Sequence, residues 1–174
     1  MRAVITGATS GIGKEMAYVL NKMGYKLTLI ARRRDRLLRL KEELGDDTVI
    51  ITADLSEKDE VMRAYEEAKA DDIEILINNA GFGLCGSFTD TSLEREMKMT
   101  ATNDTAVLML TKLFLRDFEE KNRGYILNVA SVAAFLPGPL LAVYYASKAY
   151  VRVLTESIYG ELSAKGSNVY IGLL

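Results

Sequence analysis

Tyr144 and Lys148 stand four residues apart, a spacing that puts both side chains on one face of a helix, about one turn from each other. A free phenol, with a pKa of about 10, is a poor acid-base group at neutral pH. A neighbouring ammonium stabilises the phenolate and brings that pKa toward the working range, so the pair can do general acid-base work. The chain contains no histidine, which excludes a Ser-His-Asp triad, a Cys-His pair, an HExxH zinc site and any imidazole base. Proton transfer must fall to another group. Taken alone, the pair is also what a half-buried tyrosine beside a solvated lysine would give. Tyr145 is a competing phenol, three residues from Lys148. Ser131, thirteen residues before Tyr144, follows a run ending Asn128-Val129-Ala130 and offers a hydroxyl at a strand end, where an ordinary hydroxyl-containing turn is the plain alternative.

A second cluster lies near the N-terminus, where Thr6 to Gly13 read TGATSGIG. Gly7 suits a tight turn, Gly11 a close backbone approach and Gly13 tight packing of a following helix. A loop without β-carbons lets backbone N–H groups reach a phosphate, and a helix N-terminus behind it favours negative charge. Thr9 and Ser10 add hydroxyl donors. Lys14 is followed by Glu15, so the Ser/Thr that a P-loop uses for magnesium is absent.

Short β-branched runs are expected as strands at 2–6, 26–31, 48–52, 73–77, 124–130 and 168–173. Segments 12–23 and 34–44 have helical spacing, and a fifth helix is expected over 143–163. Ser56-x-x-Asp59 and Thr91-x-x-Glu94 read as capping boxes opening the third and fourth helices. Strands alternating with helices predict one doubly wound α/β domain over residues 1–174, a Rossmann-like parallel sheet of order 3-2-1-4-5-6 covered on both faces. The loops 81–90 and 135–142 follow strand ends, where ligands of open α/β sheets bind.

Composition is globular, 49% hydrophobic and 26% charged with a net charge of −2, and the longest basic run is Arg32-Arg33-Arg34. That balance argues against a nucleic-acid or anionic-membrane partner. The N-terminal apolar run is too short for a signal peptide or a spanning helix, and the one cysteine, Cys85, excludes a disulfide scaffold. A cytoplasmic protein is expected.

The motifs in register with the strand ends resemble the short-chain dehydrogenase/reductase family: TGATSGIG, Asp54 after the third strand, Asn78-Asn79-Ala80-Gly81 after the fourth, Asn103 in the fourth helix, Ser131, and Tyr144-x-x-x-Lys148. The resemblance covers most of the chain. It implies a nicotinamide cofactor whose phosphates are held by Gly7, Thr9, Ser10, Gly11, Ile12 and Gly13, with Asp54 and Leu55 at the adenine and Asn78, Asn79, Ala80 and Gly81 along the cofactor. It also implies hydride transfer to or from a small carbonyl or alcohol, with Tyr144 delivering the proton, Ser131 hydrogen-bonding the substrate oxygen, Lys148 holding the ribose hydroxyls and Asn103 helping to carry a relay water. The second strand ends at Ala31 with no acid there, and Arg32 after it, with Arg33 assisting, favours the 2′-phosphate of NADP(H) over NAD, while Arg34 and Arg36 read as the solvated face of a helix. The sequon Asn103-Asp104-Thr105 lies in a helix and is expected to stay unmodified.

Apolar faces on the fourth and fifth helices (Val107, Leu110, Leu113, Phe114; Val151, Leu154, Ile158) suggest a homodimer or homotetramer, as in the family, with core packing as the alternative. Family members continue beyond the sixth strand with a loop over the nicotinamide, a substrate-binding segment and a seventh strand. A C-terminally truncated chain is therefore expected, binding cofactor weakly and turning over little alone. The second reading is a non-catalytic NADP(H)-binding or interaction module.

Overall fold

Strands rich in β-branched and aliphatic residues on both faces are buried only when helices cover both sides of their sheet. The computed structural model of the chain, which describes residues 1–69 and 72–174, has this arrangement. Strands β1 (Arg2–Thr6), β2 (Lys26–Ala31), β3 (Val49–Thr52), β4 (Ile73–Asn78), β5 (Gly124–Asn128) and β6 (Val169–Leu173) form a six-stranded sheet of order β3-β2-β1-β4-β5-β6. All pairings are parallel, as expected. The helices are α1 (Gly11–Lys22), α2 (Arg34–Leu44), α3 (Lys58–Ala68), α4 (Leu93–Thr100), α5 (Ala106–Lys121) and α6 (Ala142–Lys165).

The period-two alternation of the strands divides the core. Val4, Ile30, Ile51, Leu76, Ile126 and Ile171 face the side on which α3, α5 and α6 bury Ala64, Phe114, Phe118 and Leu162. Ala3, Ile5, Leu27, Leu29 and Ile77 face the other, under Ala17 of α1 and Leu37 and Leu40 of α2. Phe114 and Phe118 are fully buried, each worth about 2–3 kcal/mol in apolar area removed from water. Most of the helix faces expected at an oligomer interface are spent here: Leu110 and Phe114 are in this core, and Val107 and Val151 are buried beside Ala130 and Ala134. No described helix is long and apolar enough to cross a membrane.

Three local expectations need correction. Ser56 does not cap α3: its N–H and hydroxyl both donate to Asp54 Oδ1, at 3.0 and 2.9 Å, and Glu57 is the N-cap without a side-chain bond. Ser92, not Thr91, caps α4, accepting from the Arg95 N–H at 3.4 Å, while the Thr91 hydroxyl donates to Glu96 at 2.7 Å. The expected fourth helix is interrupted, because Ala101–Thr105 form a π-turn between α4 and α5. Such a turn widens the helix by one residue and recurs at functional sites.

Candidate active site

The strand order reverses between β1 and β4, and a crevice of about 980 Å³ opens at the carboxyl ends of the strands there. Its floor is the glycine loop. Gly7 turns with φ +65° and donates its N–H to Ile30 O at 2.8 Å; a β-carbon there would lie 2.8 Å from the Ala80 backbone. Ser10 caps α1 without spending its hydroxyl on the helix, so the first N–H groups of α1 are left for an anion. Gly11, at φ +53°, has open space where a side chain would be. Gly13 packs the helix onto Asn79. Thr6 and Asn79 tie the loop to the end of β4: the Asn79 and Ala80 N–H groups both donate to Thr6 Oγ1 at 3.0 Å, and Asn79 Nδ2 donates to Thr6 O at 3.0 Å.

Beyond the loop, Arg32 and Arg33 line the end of the crevice nearest β2. Arg33 is the engaged one, donating to the hydroxyls of Thr9 at 3.2 Å and Ser10 at 3.5 Å. Asp54 and Leu55 line the same end.

At the other end, Ser131, Tyr144 and Lys148 line the crevice together. Ser131 precedes a short 3-10 turn (Val132–Phe135), its hydroxyl accepting from the Ala133 N–H at 3.1 Å. Lys148 is only 6% exposed, and its ammonium donates to Val129 O at 2.8 Å and lies 6.0 Å from the centre of the Tyr144 ring. Gly83 covers that ring, with a β-carbon position 3.4 Å from it. Asn103 is 1% exposed; its side chain accepts from the Phe82 N–H at 3.1 Å and donates to Phe82 O at 3.0 Å and to Ser147 Oγ at 3.1 Å. The Ser147 hydroxyl in turn donates to Tyr144 O at 2.8 Å, so Asn103 clamps the loop after β4 to the helix that carries Tyr144 and Lys148.

The family model described as short chain dehydrogenase matches residues 1–172. The chain belongs to the short-chain dehydrogenase family. It is similar to the very-long-chain 3-oxoacyl-CoA reductase of Anas platyrhynchos, 36% identical over 94% of this chain and 55% of the relative. A short-chain dehydrogenase/reductase from Burkholderia phymatum in complex with NAD superposes with a TM-score of 0.92 at 31% identity, over 98% of this chain and 63% of that one. A metagenomic short-chain oxidoreductase in complex with NADP superposes equally well, at 29% identity, over 99% of this chain and 79% of that one. The chain thus spans about half the length of that curated relative.

Most of the residues singled out from sequence meet in this crevice. Asn78, Asn103 and Gly13 lie behind its wall instead. Asn78 is buried in a polar layer, donating to Thr111 Oγ1 at 3.0 Å and Asn128 Oδ1 at 2.9 Å, while Asn128 donates to Thr155 Oγ1 at 2.9 Å. Sequence reading did not single out Thr111, Asn128 or Thr155; a polar residue at an otherwise apolar core position was their only signal. Nor did it assign chemistry to Asp104, next to Asn103. Burial of Lys148 pushes its ammonium pKa below the ordinary lysine value, with the charge of Asp104 pulling it back up.

Proposed function

We propose that the chain carries the cofactor site and acid-base centre of an NADP(H)-dependent oxidoreductase that interconverts a carbonyl and an alcohol. The observation that carries this reading is the convergence of the Tyr144 phenol, the buried Lys148 ammonium and the Ser131 hydroxyl on one wall of the crevice whose far end holds the glycine loop and two arginines. The cradle fits a dinucleotide: two glycines with positive φ, a helix N-terminus free for phosphate and guanidinium groups beyond it. Relatives solved with NAD and with NADP support a nicotinamide cofactor.

A bound nicotinamide cofactor supplies or accepts the hydride. Tyr144 gives the carbonyl oxygen its proton, or removes the alcohol's, at the phenol oxygen. The Lys148 ammonium, fixed by Val129 O and near the ring, favours the phenolate form that proton transfer leaves behind. The Ser131 hydroxyl hydrogen-bonds the substrate oxygen where charge develops. Asn103 holds Phe82 and Ser147 and so keeps Tyr144 in place. The absence of an acid at the end of β2 and the reach of Arg33 to Thr9 and Ser10 support a 2′-phosphate there, with Arg33 rather than Arg32 making the principal contact.

Similarity to a 3-oxoacyl-CoA reductase supports a ketone or 3-oxoacyl substrate. The free, exposed Cys85 fits a reducing, cytoplasmic setting. The outward residues Leu93, Met97 and Val153, each more than half exposed, fit a second copy of the chain in a homodimer or homotetramer.

NADPH binding by fluorescence, paired with NADPH consumption on a panel of ketones and 3-oxoacyl thioesters, tests the reading. The chain is expected to bind NADPH and turn over a carbonyl, and Tyr144→Phe to abolish turnover while keeping the affinity for NADPH. NADPH binding without turnover of any carbonyl would favour the non-catalytic module.

A further inference from the structure

The helix that carries Tyr144 and Lys148 is held at a further point that the mechanism above does not use. Tyr144, Lys148, Val151 and Thr155 recur at the spacing of one helical stripe, and α6 turns that stripe inward, burying Lys148, Val151 and Thr155. Val151 packs with Val107, Ala130 and Ala134. Apolar contact of this kind is non-directional and lets a helix slide along its axis by a fraction of a turn. A hydrogen bond between buried side chains is directional and does not. Asn128, the last residue of β5, supplies one. Its Nδ2 donates to Thr155 Oγ1 at 2.9 Å, and the Thr155 hydroxyl is oriented by donating to Val151 O at 2.8 Å. Both side chains are fully buried, so bulk water does not compete for either group.

We infer that Asn128 and Thr155 are positioning residues of the active site: their buried bond pins α6 lengthwise on the end of β5 and so sets where Lys148 and Tyr144 stand. The consequence for catalysis rests on the proposed function; the pinning itself does not. Next to Asn128 is Val129, whose carbonyl takes the Lys148 ammonium at 2.8 Å and whose N–H donates to Asn78 O at 2.9 Å. Two consecutive residues therefore grip α6 at Thr155 and at Lys148, about 10 Å apart along the helix axis. One attachment would leave the helix free to pivot; two fix its axial position and its rotation. Proton transfer tolerates little error, since a displacement of about 1 Å can cost about a hundredfold in rate.

The polar layer is arranged for this bond at its own expense. Asn78 spends its amide on Thr111 Oγ1 at 3.0 Å and Asn128 Oδ1 at 2.9 Å, while its own Oδ1 is buried with no hydrogen-bond partner among the described residues. Because Asn78 donates to the Asn128 oxygen, Asn128 must turn its Nδ2 to Thr155. An apolar layer of the same shape would leave no orphaned acceptor. What the polar layer adds is a single permitted orientation of Asn128, and with it a single register for α6.

The test compares single variants by thermal melting, by NADPH-dependent carbonyl reduction and by acetylation of Lys148 with acetic anhydride, read by peptide mass spectrometry. Thr155→Val keeps the shape and removes the hydroxyl; Thr155→Ser keeps the hydroxyl. Thr111→Val removes a hydroxyl of the same layer from α5, which carries neither Tyr144 nor Lys148, and so controls for lost stability. In Thr155→Val, acetylation of Lys148 is expected to speed up about fivefold, the factor that loss of one buried hydrogen bond allows. In the same variant kcat should fall about tenfold or more with little change in the KM for the carbonyl. Thr155→Ser should restore most of both, and Thr111→Val should match the parent in both while melting at a lower temperature. Unchanged acetylation in Thr155→Val would overturn the inference, as would equal effects in Thr111→Val. So would loss of fold in Thr155→Val, which would make the bond structural only. If acetylation speeds up in Thr155→Val while no chain reduces any carbonyl, the proposed function fails and the pinning of α6 stands.

Discussion

Gly13→Ala isolates the contact on which the glycine loop rests. A β-carbon at Gly13 would lie 2.3 Å from Asn79 Nδ2 and 2.8 Å from the Gly7 carbonyl oxygen. Gly13 is inside α1 with no positive φ, so its backbone already accepts alanine, and helix propensity alone would favour the variant by about 1 kcal/mol. The contacts outweigh that gain. The Asn79 amide must swing away, giving up its bonds to Thr6 O at 3.0 Å and Gly7 O at 3.2 Å. Each such bond contributes about 1 kcal/mol. The Gly7 carbonyl is backbone and cannot rotate aside, so α1 must lift from β1 at an overpacking cost of about 1–3 kcal/mol. The net loss is about 2–4 kcal/mol, a fall in Tm of about 5–15 °C for a chain of this size. Gly11→Ala is the control: its φ is +53° and nothing lies within 4 Å, so only backbone strain of about 1–2 kcal/mol applies. Urea unfolding followed by circular dichroism, without cofactor, measures both. A Gly13→Ala chain as stable as the parent, or a Gly11→Ala chain that loses more than Gly13→Ala, would refute the packing argument.

Other expectations follow from features outside the loop. Leu140 has φ +65° and is mostly exposed, so Leu140→Gly should raise stability by about 0.5–1 kcal/mol in the same urea assay, since Gly adopts that backbone without strain. Asn128→Ala leaves Asn78 and Thr155 short of a partner at buried sites and should lower stability by about 2–4 kcal/mol, whereas the exposed Tyr125 replaced by threonine should change it by less than about 0.5 kcal/mol. Asp104 has a folded pKa of about 6, above its unfolded value of about 4, so its protonated form is the one the fold favours. Its contribution to stability is complete below about pH 4 and is lost as pH rises through about 6. Asp104→Asn should therefore be more stable than the parent near neutral pH by about 1 kcal/mol, a value discounted for partial solvent screening, and the difference should vanish by about pH 4 in thermal melts. Arg33→Ala should weaken NADPH by about tenfold or more and NADH little, by fluorescence titration, if the guanidinium holds a phosphate.

The strands were legible because β-branched runs bounded by glycine and asparagine have few other homes in a short α/β chain. β1 and β2, and helix α2, begin and end where the sequence places them. The fifth strand is shorter than expected because Val129 and Ala130 leave its ladder and bond to Asn78 O and Leu174 O. The caps were less legible, since adjacent hydroxyls compete. Ser56 serves the Asp54 carboxylate, and Ser92 displaces Thr91 by one residue. Residue types pointed to the site; what they hid was how polar atoms are spent. Nothing in the letters Asn78-Asn79 says that the first amide is buried under the sheet while the second grips the glycine loop. Likewise Arg32 and Arg33 are alike in sequence, and only backbone direction decides that Arg33 reaches Thr9 and Ser10. The π-turn had no signature, because any residue type can occupy the extra position.

That extra position has a consequence for the chain as a length of helix. α4 and α5 are fitted to different neighbours, Met99 buried on one and Leu110 and Phe114 on the other, and a continuous α-helix would lock their angular phases together. The surplus residue acts as a phase shifter, decoupling the two halves by about a quarter turn. Deleting any one residue of Ala101–Thr105 would let an ordinary helix form with both packed faces intact. The deletion would keep the apolar packing but break the buried bonds of Asn103 to Phe82 and Ser147 and erase its placement, so here the count of residues, as much as their identity, carries the active-site geometry.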